Sequence, residues 1–268
     1  MIYFVGNPES KEISFPLATI EDVKNWCKIH TVRSIDTETI GTCWDGYIYT
    51  LQIGNSESQF VIDCTYYDIN LLKEELERKD VINILQNGKF DDKFFFAKGI
   101  KLGYIYDTFL AECILTTGYE NRELRLDYIV SKYCGDKYKI DKSIRGKINY
   151  LGLTDEIIQY AAHDIIALEE VMNKQKQELE KLDLLSVADL EFKVSRIFAE
   201  MEYYGMKLDT KKWLEQAETR EKEAYKFELE LNNYILRNRD TFKKFIDTQL
   251  SLFDSELKTT INWASPKQ

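Results

Sequence analysis

The first third of the chain alternates between apolar and polar positions in a way that predicts strands. Arg33-Ser34-Ile35 leads into Asp36, and Tyr47-Ile48-Tyr49-Thr50-Leu51-Gln52-Ile53-Gly54 follows after Asp45-Gly46. Two runs of this kind separated by turn residues predict a hairpin. Residues 60–64 read as a third strand and residues 81–85 as a fourth, with a helix at 70–79 carrying Glu74, Glu75 and Glu77 outward. A helix starts at residue 90 with Phe94, Phe95 and Phe96 packing it down, and residues 124–133 predict another. Three strands followed by alternating helix and strand predict an α/β domain, a mixed sheet flanked by helices.

Further along, the period lengthens. Residues 155–172 carry apolar positions at helical spacing, and Thr154 is a suitable N-cap ahead of Asp155 and Glu156. From about residue 186 the chain turns helical and charged, with residues 211–237 forming a long arm. That arm is expected to be a hairpin, and Glu221, Glu223 and Glu228 beside Lys222 and Lys226 read as a solvated face. This divides the chain into 1–185 and 186–268. With only three prolines, no Pro-rich linker marks the boundary.

Within those elements lie three groups of acids. In a strand, positions i and i+2 face the same side, so Asp36 and Glu38 project together. Asp91 closes the run Asn87-Gly88-Lys89-Phe90-Asp91. Tyr160 and Asp164 are four apart and share one helix face, whereas His163 points elsewhere and reads as a packing or surface residue. Taken singly, each group is ordinary: two solvated carboxylates at a strand end, or a core tyrosine above a surface acid. Gathered together, carboxylates suit hard divalent cations such as Mg²⁺. Two such ions about 3.5–4 Å apart can activate water and stabilise a leaving oxygen in phosphodiester hydrolysis.

The order and spacing of the three groups resemble the proofreading 3′→5′ exonuclease domain of the DNA polymerase I family (family A), the tyrosine branch of the DEDD exonucleases. The D-x-E motif matches Asp36-Thr37-Glu38, N-x-K-[YF]-D matches residues 87–91, and Y-x-x-x-D matches residues 160–164. Residues 105–112 are similar to the family's F-D-T-x-L segment. Residues 195–209 resemble the stretch joining exonuclease to polymerase, and residues 261–268 the F-N-[LP]-x-S-x-K-Q run near the base of the thumb. The resemblance implies a ribonuclease-H-like exonuclease fold followed by the start of a polymerase domain. Palm and fingers are not expected among these 268 residues, so neither is polymerase activity.

The same resemblance implies two divalent cations, Mg²⁺ or Mn²⁺, with Asp36, Glu38, Asp91 and Asp164 as ligands and Tyr160 as a catalytic group orienting water. It implies a single-stranded DNA 3′ end as substrate, 5′-mononucleotides as products, and a polymerase domain as partner. Thr39, Asn87, Arg122 and Arg125 are the candidate substrate contacts. The apolar residue that the family often carries after D-x-E-T has no clear match, leaving Ile40 and Trp44 as candidates to stack on the terminal base. A ribonuclease D-type RNA exonuclease and a catalytically silent nucleic-acid-binding domain are the rival readings.

Composition changes this picture in two places. Hydrophobic residues make up 44% of the 268 positions, enough for a packed core, and the five scattered cysteines with two histidines argue for a reduced cytosolic protein without zinc. A bacterial or phage-infected cell, with no membrane association, is the expected setting. The net charge of −10 predicts weak, salt-sensitive nucleic-acid affinity. Locally basic runs at 137–142 and 145–147 offset it.

Overall fold

The computed structural model describes residues 1–9, 13–138, 152–247 and 258–265. Most of the basic runs at 137–142 and 145–147 therefore lies outside the described residues. The chain divides into two compact units, Met1–Gly205 and Met206–Gln268.

In the first unit, β1 (Ile2–Val5), β2 (Val32–Ile40), β3 (Tyr47–Gly54), β4 (Gln59–Asp63), β5 (Ile82–Leu85) and β6 (Tyr104–Asp107) form one six-stranded sheet. Its order is β1-β4-β3-β2-β5-β6. The β2–β3 and β3–β4 pairs are antiparallel, while β1–β4, β2–β5 and β5–β6 are parallel. The predicted turn closes the β2–β3 hairpin, and only glycine fits at 46: a Cβ there would lie 1.9 Å from the Ile40 carbonyl oxygen.

Helices cover both faces. α1 (Ile20–Ile29), α2 (Lys73–Leu76) and α3 (Lys89–Ala97) contribute to a core in which Val23, Cys27, Phe94 and Phe95 meet Ile35, Leu51 and Ile53. α4 (Thr108–Leu115), α5 (Leu126–Cys134), α6 (Asp155–Ile166), α7 (Leu168–Lys181) and α8 (Leu185–Tyr204) complete the unit. The predicted helix over 155–172 bends at Ala167 (φ −98°, ψ −13°). Ile158, Ala161 and Ala162 thereby pack on Phe4 and Val61, while Leu168 and Met172 join Ile84 and Tyr106. α8 packs on α3 and belongs to this unit, although the sequence division placed residues from 186 onward in the next segment.

Residues 70–79 do not form the expected helix. A 3₁₀ turn (Ile69–Leu72) runs into the single turn of α2, and Glu75 is buried instead of pointing outward. Tertiary contacts capture this stretch: the Leu76 carbonyl accepts from the Gly103 amide, and the Glu75 carbonyl from the buried Arg33 guanidinium.

The second unit is α9 (Thr210–Arg237) with the short pair β7 (Ile246–Asp247) and β8 (Lys258–Thr259). In place of the expected hairpin, α9 is one continuous helix, N-capped by the Asp209 side chain, with no glycine or proline along it to turn the chain. Its charged face carries exposed ion pairs such as Lys222–Glu218 and Lys226–Glu230. Asn232 anchors the return of the chain, its Oδ1 accepting from Thr259 Oγ1 and Trp263 Nε1.

Candidate active site

β2 is the central supplier. Asp36 and Glu38 leave it on the side where α6 packs, and a bulge between Glu38 and Thr39 shifts the register where the strand reaches the cleft. Thr154 caps α6 as predicted, accepting from the Ile157 amide, and the helix delivers Tyr160 and Asp164 one turn apart. Ligand oxygens of Asp36, Glu38 and Asp164 all lie within 4.8 Å of one another. Asp91 enters from the first turn of α3 and accepts a hydrogen bond from the Thr37 hydroxyl. These groups line one cleft of about 560 Å³.

The lead-in to α3 is held by a residue outside the three acidic motifs, the Asp of the F-D-T-like segment. Asn87 takes a left-handed conformation (φ 60°), and its amide donates to Asp107 Oδ1 at 2.9 Å. The Gly88 amide donates to Asp107 Oδ2 at 2.8 Å. Asp107 also caps α4 through the Phe109 amide. A single buried carboxylate at the end of β6 thus fixes the loop from which Asp91 starts. Its D-T context was visible in sequence; its bonding to residues 87 and 88, some twenty positions earlier, was not.

Burial and crowding set the electrostatics. Desolvation raises the Asp36 carboxyl well above its usual range, and the charges of Asp91, Asp164 and Glu38 raise it further. Burial pushes Asp91 up to about 7 against the pull of the Thr37 hydroxyl, and Asp107 up to about 6 against four backbone amides. Tyr160 is also raised, first by burial and then by the charge of Asp164. It is held against Tyr49 and Leu153, with its hydroxyl hydrogen-bonded to Asp164. His163 is half-buried and shifted down by desolvation alone, in keeping with a packing residue.

Such a set of mutually repelling acids stays ionised only beside a positive charge. The donors are all carboxylate oxygens, which suit a hard divalent cation. The donor set therefore fits Mg²⁺ or Mn²⁺.

Around the acids, Thr39, Asn87 and Arg125 line the cleft. Arg122 does not; its guanidinium is engaged by the Cys113 carbonyl at 2.8 Å and by Thr116 Oγ1. Neither Ile40 nor Trp44 lines the cleft, and the Trp44 indole donates instead to the Tyr203 carbonyl at 2.7 Å. Phe90, Phe109 and Leu124 supply the apolar wall. Phe90, 45% exposed, lies inside the N-x-K-F-D motif, where only the acid and the asparagine signal function in sequence. Gln86, also without a sequence signal, donates to the Leu124 carbonyl at 3.0 Å and so ties that wall to β5.

A mixed six-stranded sheet with acids converging from its central strand and from two flanking helices defines a ribonuclease-H-like exonuclease fold. The 3′-5′ exonuclease family of A-type DNA polymerases matches residues 12–180, and the chain belongs to it. It is 34% identical over 151 residues to the DNA polymerase I of Aquifex aeolicus, a match covering 56% of this chain and 24% of that polymerase. The chain thus matches about a quarter of that relative's length. Among solved structures, it is similar to Brucella melitensis NrnC (TM-score 0.60, 19% identity, covering 76% of this chain and 95% of that one). NrnC has also been solved with bound Mg²⁺ and bound to pGG. Escherichia coli RNase D, described as an exoribonuclease involved in structured RNA processing, gives a TM-score of 0.61 at 20% identity, covering 73% of this chain and 50% of that one.

Proposed function

We propose that the chain hydrolyses the terminal phosphodiester of single-stranded or frayed DNA from the 3′ end, releasing 5′-mononucleotides in a proofreading role. The observation that carries this reading is the approach of Asp36, Glu38 and Asp164 oxygens to within 4.8 Å of one another, in a cleft that also takes in Asp91 and Tyr160. DNA is favoured over RNA because the 34% identity is with a DNA polymerase, whereas the likeness to RNase D is one of fold.

Asp36, Glu38 and Asp164 would hold one Mg²⁺ or Mn²⁺, and Asp36 with Asp91 a second. When bound, such cations acidify water and neutralise charge at the scissile phosphate. The chain's own groups do the rest. The Tyr160 hydroxyl, beside Asp164, works with Glu38 to aim a water at the terminal phosphorus. Thr39 and Asn87 contact the terminal nucleotide, and Arg125 pairs with a backbone phosphate. Phe90, Phe109 and Leu124 stack on unpaired bases, at about 1–3 kcal/mol per base.

The net charge of −10 limits affinity and makes it steeply salt-dependent. Residues 186–268 are proposed as the opening of a polymerase domain, on the resemblance of 195–209 and 261–268. The 268 residues by themselves are expected not to extend a primed template. A cytoplasmic setting in a bacterial or phage-infected cell completes the proposal. No helix among the described residues is long and apolar enough to cross a membrane.

The test is digestion of matched 5′-labelled DNA and RNA oligonucleotides with Mg²⁺. Stepwise shortening from the 3′ end, abolished by chelator and faster on DNA, is the expected result. Faster turnover of RNA moves the chain to the ribonuclease D reading. Binding of both without shortening of either makes it a silent nucleic-acid-binding domain.

A further inference from the structure

We propose that Arg196, on α8 and beyond the residues matched by the exonuclease family, is a positioning residue for Asp91. It holds α3 so that the Asp91 carboxylate stays at the cation site. The inference rests on the assignment of Asp91 as a cation ligand.

α3 starts without a side-chain cap, because its N-cap is Gly88. Its placement must therefore come from elsewhere. The first turn sends Asp91 to Thr37 and the adjacent Asp92 to the α8 side, where it is fully buried. Arg196 Nε donates to Asp92 Oδ2 at 3.2 Å, and a terminal nitrogen of the same guanidinium donates to the Gly103 carbonyl at 2.9 Å.

Gly103 immediately precedes β6, the strand whose last residue, Asp107, holds the Asn87 and Gly88 amides. One planar fork thus fastens both α3 and the strand that fixes its lead-in, a role that suits Arg and not a point-charge Lys. Further along α8, Glu202 accepts from Lys89 Nζ at 2.6 Å and Lys93 Nζ at 2.8 Å. These lysines share one face of α3 and bracket Asp91 in sequence. A buried ion pair is weak evidence of stabilisation, but it specifies geometry. Asp92 is bonded through the backbone to Asp91, so a shift of the first moves the second. A displacement of about 1 Å at a reacting centre can cost roughly 100-fold in rate.

Arg196→Met alone would strand the Asp92 charge, so the test uses the full chain carrying Asp92→Asn with Arg196→Met, together with Arg196→Lys, Glu202→Gln and Asp91→Asn. The measurements are Mn²⁺ binding by calorimetry without nucleic acid, the Mn²⁺ concentration for half-maximal cleavage, and the melting temperature. The double variant is expected to fold, to bind Mn²⁺ more weakly, and to need roughly 10–100-fold more Mn²⁺ for half-maximal cleavage. Its rate at saturating Mn²⁺ should fall by less than that factor. Arg196→Lys should recover part of the loss, and Glu202→Gln should shift the requirement in the same direction by less.

A folded double variant with wild-type Mn²⁺ binding and requirement overturns the inference. Should the double variant not fold, Glu202→Gln decides, because its carboxylate is partly exposed and its removal leaves no buried charge. A wild-type Mn²⁺ requirement in that protein then overturns the inference. If Asp91→Asn itself leaves the requirement unchanged, the ligand assignment fails. If Asp91→Asn raises it and the double variant does not, only the positioning role fails.

Discussion

Asp91 and Asp92 are neighbours in α3 and are both removed from water, at 3% and 0% exposure, yet they belong to two differently built regions. On the side facing α8, acids meet bases of the protein: Asp92 meets Arg196, and Glu202 meets Lys89 and Lys93. In the cleft, the charges acting most strongly on Asp36 are those of Asp91, Asp164 and Glu38. The first arrangement neutralises itself and specifies where α3 lies. The second concentrates negative charge from several acids at one place, which a bound cation would neutralise. A protein can tolerate a few such acids because folding concentrates the cost at one place, where a bound dication recovers it.

Several measurements would break or sharpen that contrast. The largest effect is expected from Asp36→Ala, which removes the acid shared by both proposed cation positions. Cleavage should fall by at least ~10³-fold, about 4 kcal/mol of barrier, while melting temperature without metal stays level or rises as repulsion is relieved. Near-wild-type digestion by the purified variant would remove the basis for treating the cleft as a charge reservoir.

Tyr160→Phe comes next. It deletes one hydroxyl and keeps the ring against Tyr49 and Leu153. The single-turnover rate should drop by ~10–1,000-fold with the cation requirement unchanged. Asp164→Asn, one turn along, should lower the rate and raise the requirement together, since an amide is a poorer ligand for a hard cation. A wild-type single-turnover rate for Tyr160→Phe at saturating metal would make Tyr160 a core residue only.

Phe90→Ala should be milder, weakening binding of an unpaired 3′ end by roughly 5–150-fold if one base loses a partner worth about 1–3 kcal/mol. Trp44→Ala, outside the cleft, should leave that affinity alone. The reverse ranking, measured by fluorescence anisotropy in calcium, would return the stacking role to the segment after D-x-E-T.

The smallest effect concerns pH. Asp36, Asp91, Asp92 and Asp107 have carboxyl pKa values raised in the folded state, to about 7 for Asp91 and about 6 for Asp92 and Asp107. Groups of this kind bind protons more tightly folded than unfolded. Their stabilisation is complete below the unfolded value near 4 and is lost as pH rises through the folded values. Metal-free protein should therefore lose about 1–3 kcal/mol of stability between pH 5 and pH 8, and Mg²⁺ should restore more at pH 8 than at pH 5. Asp91→Asn should flatten the profile. Denaturant midpoints that rise between pH 5 and pH 8 without metal would show that these buried acids are not under strain, and a profile unchanged by Asp91→Asn would show that the cleft is not the source.

How much of this was legible beforehand differs by element. The β2–β3 hairpin and the capped start of α6 were readable because local alternation, a glycine turn and a threonine cap each act within a few residues. The stretch at 70–79 was misjudged because its apolar and acidic spacing suits a helix, while contacts from Arg33 and Gly103 decide its path. The break at Ala167 is of the same kind: nothing at that residue forbids a helix, but Ile158, Ala161 and Ala162 before it pack on Phe4 and Val61 while Ile165, Leu168 and Met172 pack on Ile84 and Tyr106. For the stacking residue, the family pattern pointed to Ile40 and Trp44, whereas the cleft wall comes from the loop after β5, from α3 and α4, and from the loop before α5.

The sequence by itself determined the chemistry. The acids and the tyrosine occur in an order and spacing that local rules of strand and helix convert into shared faces, and short-range geometry suffices for that. Only the tertiary structure decided which acids share a site, that Asp91 approaches from a separate helix, and that Asp107, Asp92 and Arg196 hold that helix in place. Those relations join residues 20 to more than 100 positions apart. They depend on how the sheet and helices pack, and no local pattern along the chain encodes them.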